Sequence, residues 1–150
     1  MLPIAEVDTA MNETLPTKLR ERVDSLCSTG TQHIRTHRFD AAVLSYTSAF
    51  DMLPPPKEQW GLTRPILAGI VDACFLKGDY TSAQEAIDAI RECSSLPPAP
   101  HFHLRQGQIL FEQGNFEDAG EELATAFENG GDSVFDNEHP KYLEFVRKIV

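Results

Sequence analysis

The sequence predicts an all-α protein built from consecutive helix pairs, and three observations lead to this prediction. Glycines and prolines divide the chain into segments of helical length, and the apolar residues within each segment recur at spacings of three and four. No segment alternates between apolar and polar residues as a half-buried strand would. A short motif also recurs near residues 37, 78 and 114, which indicates a repeated structural unit.

The first helix pair begins after a short N-terminal stretch. Its first helix is predicted from about Thr17 to Thr36, because Pro16 suits a first-turn position. An apolar stripe follows on one face of this helix: Leu19, Val23, Leu26 and Ile34. The second helix is predicted from about Phe39 to Leu53, where three prolines stop it at positions 54, 55 and 56.

The second pair is predicted between two proline-rich breaks. Its first helix begins near Lys57 and ends at Gly78, and Pro65 within that span predicts a kink. Asp79 is placed to cap the next helix, which runs through about Arg91.

A third pair and a final helix complete the chain. Prolines at 97, 98 and 100 form the break, and helices follow at about Pro100 to Gln113 and Phe116 to Glu128, closed by residues 129–131. A last helix at about Pro140 to Ile149 has an apolar face that can cover its neighbour. Residues 1–14 show no such pattern and are expected to form a mobile N-terminal tail.

The recurring motif has the same residue types each time. It reads His37-Arg38-Phe39-Asp40-Ala41-Ala42, then Gly78-Asp79-Tyr80-Thr81-Ser82-Ala83, then Gly114-Asn115-Phe116-Glu117-Asp118-Ala119. A turn residue ends one helix, an aromatic residue starts the next, and an alanine three residues later lets the two helices pack closely.

These motifs resemble the tetratricopeptide repeat (TPR) family, whose unit is a helix-turn-helix of 34 residues. The first unit matches the family pattern at Gly30, Phe39, Ala42, Tyr46, Ala49 and Pro54. The second matches at Gly78, Tyr80 and Ala83, and the third at Gly107, Gly114, Phe116, Ala119 and Ala126. Successive turns lie 41 and 36 residues apart (37 to 78, then 78 to 114), so the first junction, which carries Trp60, is expected to project or to lengthen the third helix.

The resemblance implies a definite architecture. It consists of three TPR-like helix-turn-helix repeats in a right-handed solenoid, over about residues 17–54, 57–96 and 99–131, followed by a capping helix over 138–150. The whole of 15–150 is then a single domain, for which a monomer is preferred over a homodimer because the last helix covers one end of the stack.

Charge limits the classes of partner. The 23 acidic and 13 basic side chains give a net charge of -10, and 14 acidic but only 5 basic residues lie from Asp79 onward. An acidic surface repels phosphate backbones and anionic lipids, so neither nucleic acid nor a membrane is an expected partner, and a basic protein is favoured. The three cysteines are far apart, and residues 1–10 lack the features of a signal peptide, which indicates a reduced, cytoplasmic protein.

No group of residues predicts catalysis, a metal or a cofactor. His33 and His37 are four apart, but no third ligand is evident, and a surface role is the favoured interpretation. The acidic pairs in the third repeat lie on a predicted exposed face, whereas catalytic carboxylates need burial or a cleft to separate their pKa values. The sequence therefore predicts that the protein is not an enzyme.

Two candidate surfaces could hold a partner protein. The resemblance implies a concave groove lined by the first helix of each repeat, and the family's inner-face positions fall on Thr31, Arg35, Asp72, Phe75, His101, Arg105, Gln108, Phe111 and Glu112. For Phe75 and Phe111, packing between helices explains the pattern equally well. The second candidate is an acidic flank formed by Glu117, Asp118, Glu121 and Glu122.

Two functions fit such a module. The layout resembles small bacterial TPR proteins that close with a Pro-Lys-Tyr-Leu-x-Phe helix, here beginning at Pro140. Relatives of that kind imply an immunity protein, a cytosolic binding inhibitor that occludes a cognate basic toxin or effector. The alternative is a chaperone or scaffold that holds an extended peptide in the concave groove.

Overall fold

The computed structural model describes residues 15–93 and 99–150, and in these residues the secondary structure is entirely helical. The α-helices are α1 (Thr17–Arg35), α2 (Phe39–Met52), α3 (Thr63–Lys77), α4 (Tyr80–Cys93), α5 (Pro100–Glu112), α6 (Phe116–Gly130) and α7 (Pro140–Arg147). Two short 3-10 helices lie at Lys57–Gln59 and Asp132–Phe135. The all-α prediction is thus confirmed for this part of the chain, while the predicted mobile tail over 1–14 and the prolines at 97 and 98 lie outside it.

The chain divides into two compact units, Met1–Ser95 and Leu96–Val150, called unit 1 and unit 2 below. In unit 1 each helix packs against the next, and α1 also contacts α3. In unit 2 the main contact joins α5 to α6, and α7 packs on α6. The expectation of one domain over residues 15–150 stays a prediction.

The three repeated turns have the same backbone conformation. His37, Gly78 and Gly114 all have a positive φ, of 60°, 89° and 83°. The residue after each of them donates its backbone N–H to the carbonyl five residues earlier, at 2.8 Å from Arg38 and at 2.9 Å from Asp79 and Asn115. Each turn is therefore a Schellman motif, in which a left-handed residue ends the helix.

The positive φ of Gly78 and Gly114 means that replacing either glycine should destabilise the protein. We expect Gly78→Ala and Gly114→Ala each to lower the free energy of unfolding by about 1 kcal/mol, because a Cβ is disfavoured at this φ. A Cβ at either position would have no atom within 4 Å, so the cost is conformational and not steric. His37→Gly at the matching turn should raise stability by about 0.5 kcal/mol. Urea denaturation measures all three, and alanine variants as stable as the parent would contradict the assignment.

The alanines that follow these turns close the helix pairs. Ala42, Ala83 and Ala119 are fully buried. A glycine also allows α5 and α6 to approach closely. A Cβ at Gly107 of α5 would lie only 2.6 Å from Cγ of Leu123 on α6. The helices therefore approach at positions where the motif provides small side chains.

In unit 1 one tyrosine fills the space between three helices. Tyr46 on α2 is buried, and its ring lies against Gly30 of α1 and Gly69 of α3. A Cβ at Gly30 would come within 2.8 Å of the ring, and a Cβ at Gly69 within 2.5 Å. The Tyr46 hydroxyl shares a hydrogen bond of 2.8 Å with the hydroxyl of Thr31. These two glycines thus leave the room that the ring occupies.

The junction between α2 and α3 differs from its prediction. Lys57 lies in a 3-10 turn, α3 begins at Thr63, and Pro65 falls in the first turn of α3, so the predicted helix start and kink are both wrong. Proline needs no N–H in a first turn, where that donor would have no partner within the helix. The indole of Trp60 donates to the carbonyl of Pro54 at 2.6 Å, and this closes the junction onto itself.

Lysine closes the C-terminal end of α2. The Lys57 ammonium donates to the carbonyls of Phe50 at 2.8 Å and Leu53 at 2.6 Å. These carbonyls belong to the last turn, where backbone acceptors lack partners within the helix. Trp60 packs against the buried core of unit 1. The junction neither projects nor lengthens α3.

Asp79 caps α4 as predicted. Its Oδ1 accepts the backbone N–H of Ser82 at 3.1 Å. Hydrogen bonds from the Ser82 hydroxyl and backbone lower the pKa of Asp79. The capping group is therefore the ionised carboxylate.

The cap predicts a pH-dependent effect on stability. We expect Asp79→Ala to lower the melting temperature at pH 7, and the difference from the parent to narrow in acid. The pKa of Asp79 is lower when folded than its unfolded value of about 3.9, so its contribution is complete above that value and is lost as the pH falls through the folded pKa. Melting curves between pH 7 and pH 3 test this, and a constant difference over that range would contradict it.

Candidate protein-binding site

The acidic flank lies along α6 in unit 2. Glu117, Asp118 and Glu121 are exposed, whereas Glu122 is half-buried and its carboxylate bonds to Nδ1 of His103 at 2.7 Å. Asp118 also accepts a hydrogen bond of 3.0 Å from the side-chain amide of Asn115. Glu117 and Glu121 are four residues apart and therefore share one stripe of the helix.

An exposed phenylalanine stands beside these carboxylates. Phe116, the first residue of α6, is 52% exposed. Its equivalents in the other two motifs, Phe39 and Tyr80, are half-buried. Aromatic residues, phenylalanine among them, are enriched at the cores of protein interfaces relative to the rest of the surface.

Phe116 is held at the edge of an aromatic cluster. The Phe111 ring lies edge-on to the rings of Phe116, Tyr142 and Phe145, with centroid distances of 5.1, 5.3 and 5.2 Å. Such edge-to-face contacts fix ring orientation. Phe116 is thereby positioned on its inner side while its outer side faces solvent.

The apolar surface continues along α7. A Cβ at Gly120 would lie 2.9 Å from Cδ1 of Ile149 and 3.7 Å from the ring of Phe145, so these side chains cross α6 at that glycine. Ile149 is itself exposed. Phe116, Phe145 and Ile149, with Glu117 and Glu121 on the neighbouring stripe, are called the acid-rimmed apolar surface below.

Four predicted groove residues of unit 2 contact the chain's own C-terminal segment. Arg105 and Gln108 are buried, and both donate hydrogen bonds to the carboxylate of Glu138, the latter at 2.7 Å. The Glu112 carboxylate accepts from the Lys141 ammonium at 2.7 Å. Phe111 belongs to the aromatic cluster, as its alternative interpretation as a packing residue anticipated. Their predicted contact with a partner remains untested, but these side chains are already engaged.

The other predicted groove residues have mixed surroundings. Thr31, Arg35 and His101 are exposed, while Asp72 and Phe75 are half-buried. The ring of Phe75 contacts that of Tyr80 at 5.8 Å. Thr31, Arg35, Asp72 and Phe75 belong to unit 1, and a role for them in partner binding stays a prediction.

The thiols of unit 1 are poor nucleophiles. Burial raises the pKa of Cys27, Cys74 and Cys93, so little thiolate forms near neutral pH. Within residues 15–93 and 99–150, no group of three or more His, Cys, Asp or Glu side chains is placed so as to hold a metal ion. Among the helices described, none is both long enough and apolar enough to cross a bilayer.

Sequence reasoning missed two contributors to this region. Glu138 was placed only within the capping segment, and no local pattern links it to Arg105, which is 33 residues away. The sequence does not indicate the exposure of Phe116, because the motif places an aromatic residue at the start of a helix without showing whether its ring stays uncovered. A scan against protein-family models found no matching family, and a search of curated proteins found no match.

Proposed function

We propose that this protein is a non-catalytic binding module of the TPR type. Its role is that of a cytoplasmic immunity protein, which occludes a cognate basic toxin or effector. The protein acts as a monomer, and no metal or cofactor takes part. The Schellman turns at three motif positions and the contact of α1 with α3 support TPR-like stacking of the helix pairs.

The exposure of Phe116 carries this proposal. One face of the phenylalanine ring is exposed to water, which is unfavourable. Burying that face in an interface contributes about 25 cal/mol of binding free energy for each Å² of apolar surface removed from water. The ring is already oriented by Phe111, so a partner loses little conformational freedom in packing on it. A preformed aromatic anchor of this kind suits an interface with high affinity.

The charges around Phe116 favour a basic partner. Glu117 and Glu121 are exposed on the stripe beside it, and the whole chain carries a net charge of -10. Opposite charge on a partner would speed its encounter and orient it on the surface. Lysine or arginine side chains around an apolar contact therefore match the acid-rimmed apolar surface.

The chaperone or scaffold function ranks second. It requires a peptide to lie along the first helices of the repeats, where Arg105, Gln108 and Glu112 would contact it. Those three side chains are bonded to Glu138 and Lys141. A peptide would have to displace these contacts, whereas no residue in the described part of the chain covers the exposed side of Phe116.

Co-expression with the product of the adjacent gene tests the immunity role. A basic toxin encoded there should form a stable complex with this protein, and growth of cells that express the toxin should be restored. The absence of a complex at micromolar concentration would refute the role. Light scattering of this protein alone should give the monomer mass of 16.7 kDa.

Charge reversal tests the surface itself. Glu117→Lys with Glu121→Lys should weaken the complex at least about tenfold, because it places repulsive charge at the rim. The matched control is Glu21→Lys with Asp24→Lys on α1, two exposed acids that change the net charge by the same amount. If both pairs weaken binding equally, only the overall charge matters and the proposed surface is wrong.

A further inference from the structure

Unit 1 contains a groove that the predicted binding residues do not include. The helices α2 and α4 both pack on α3, and a cavity of about 550 Å³ lies between them. Its volume is in the range of about 300–1,000 Å³ found for sites that take small ligands or a few side chains. All of its lining lies within unit 1, so it is separate from the acid-rimmed apolar surface of unit 2.

Three helix faces form the floor of this groove. Val43 and Leu44 come from α2, Ile70 and Cys74 from α3, and Ala86 from α4. Leu44 is 69% exposed, so most of its side chain is accessible to a ligand in the groove. The floor therefore offers apolar area that is not covered by the described part of the chain.

The rim of the groove is charged. Asp40, Asp79 and Glu85 supply three carboxylates, and Lys77 supplies one ammonium group. Lys77 bonds to Asp40 at 2.6 Å, with both side chains exposed. Exposed ion pairs add little stability, so an incoming lysine or arginine can take the place of Lys77 at Asp40 at low cost.

We propose that this groove binds a segment of another protein in which an apolar side chain is flanked by lysine or arginine. The apolar side chain packs on Leu44, Val43 and Ile70. The flanking basic groups pair with Glu85 and Asp40 across the rim. Burial of apolar area provides the affinity, and the excess of rim carboxylates provides the preference for a basic segment.

Charge argues against the chain's own N-terminal segment as the occupant. Residues 1–14 carry Glu6, Asp8 and Glu13 and contain no lysine or arginine. Such a segment would bring like charges to Asp40 and Glu85. The occupant is therefore assigned to a different protein, and this groove would act in addition to the surface on unit 2.

A designed peptide provides the probe. A fluorescently labelled, 14-residue amphipathic helix made only of leucine and lysine should bind the full-length protein, and its affinity is measured by anisotropy. A peptide with glutamate in place of every lysine should not bind. If the lysine peptide shows no binding at concentrations up to about 100 μM, which is already weak for a specific contact, the proposal is overturned.

Matched variants show where the peptide binds. Leu44→Lys and Glu85→Lys should each raise the dissociation constant at least about tenfold, because they remove the apolar contact or reverse a rim charge. The controls are Leu76→Lys, an exposed leucine of the same unit outside the groove, and Glu21→Lys, an exposed acid of α1 outside both surfaces. Both controls should stay within about twofold, because exposed charges distant from the groove are largely screened at physiological ionic strength.

Amide chemical shifts give an independent location. In the Phe116→Ser variant, which lacks the aromatic anchor of the acid-rimmed apolar surface, addition of the lysine peptide should perturb residues of α2, α4 and the end of α3. Perturbations of that variant confined to residues outside these three helices, or equal losses of affinity in the Glu85 and Glu21 variants, would overturn the proposal. Loss of peptide binding in Leu44→Lys together with intact binding of the toxin would separate this groove from the surface on unit 2.

Discussion

Glu138→Ala is expected to lower the free energy of unfolding by about 3 kcal/mol, because it breaks a buried ion pair. The Arg105 side chain is only 7% exposed and that of Glu138 12%. Removing the carboxylate takes a charge partner from the buried Arg105 guanidinium, and it also removes an acceptor of the Gln108 amide. Both losses act in surroundings where charge is poorly solvated.

An exposed pair in the same unit provides the control. Arg147 bonds to Asp132 at 2.8 Å, and both side chains are more than half exposed. Asp132→Ala should therefore cost less than about 0.5 kcal/mol. Urea denaturation of both variants gives the comparison, and equal costs would show that Glu138 does not anchor the C-terminal segment to α5.

Gly69→Leu is the second change for which we expect a large effect. A Cβ at this position would already lie 2.5 Å from the Tyr46 ring, so a leucine must displace the ring from the core of unit 1. Overpacking of this kind costs up to about 3 kcal/mol, and the better helix propensity of leucine returns about 1 kcal/mol. The net loss should be about 2 kcal/mol in chemical denaturation.

A double-mutant cycle isolates the cause of that loss. In the Tyr46→Ala background the ring is absent, and Gly69→Leu should then be neutral or stabilising because the leucine fills the space. A coupling free energy of about 2 kcal/mol would be typical of residues in direct contact. Additive effects of the two changes would contradict the packing of the ring on Gly69.

The helix pairs could be predicted because their signals are local. A turn residue, an aromatic residue and an alanine recur in fixed order, and the turns at His37, Gly78 and Gly114 all adopt a positive φ. The alanines of the motif are buried, because the two helices of each pair pack closely at these positions. Where backbone conformation and close helix packing demand a particular residue type, the demand is visible in the sequence.

The junction before α3 could not be predicted from the same signals. A helix beginning near Lys57 is consistent with the local pattern, but the ammonium group of Lys57 instead closes the end of α2. Helical periodicity likewise gives no indication of the hydrogen bond from the Trp60 indole to the Pro54 carbonyl. Proline at 65 therefore marks the first turn of a helix and not a kink within a longer one.

The candidate site was predictable only in part. Helical periodicity correctly places Glu117 and Glu121 on an exposed face, because charge and solvent exposure go together along a helix. Periodicity cannot show which apolar residues stay uncovered, because that depends on how closely α7 approaches α6. The buried position of Arg105 likewise depends on Glu138, which is remote in sequence.

Binding of the adjacent gene's product to Phe116 variants tests the central claim most directly. Calorimetric titration should give a dissociation constant below about 1 μM for the parent protein, and Phe116→Ser should raise it at least about tenfold. Leu76→Ser, a change to an exposed leucine of unit 1, should leave it unaltered. Equal affinity of the parent and the folded Phe116→Ser protein would contradict the account, because the exposed ring would then play no part in holding the partner.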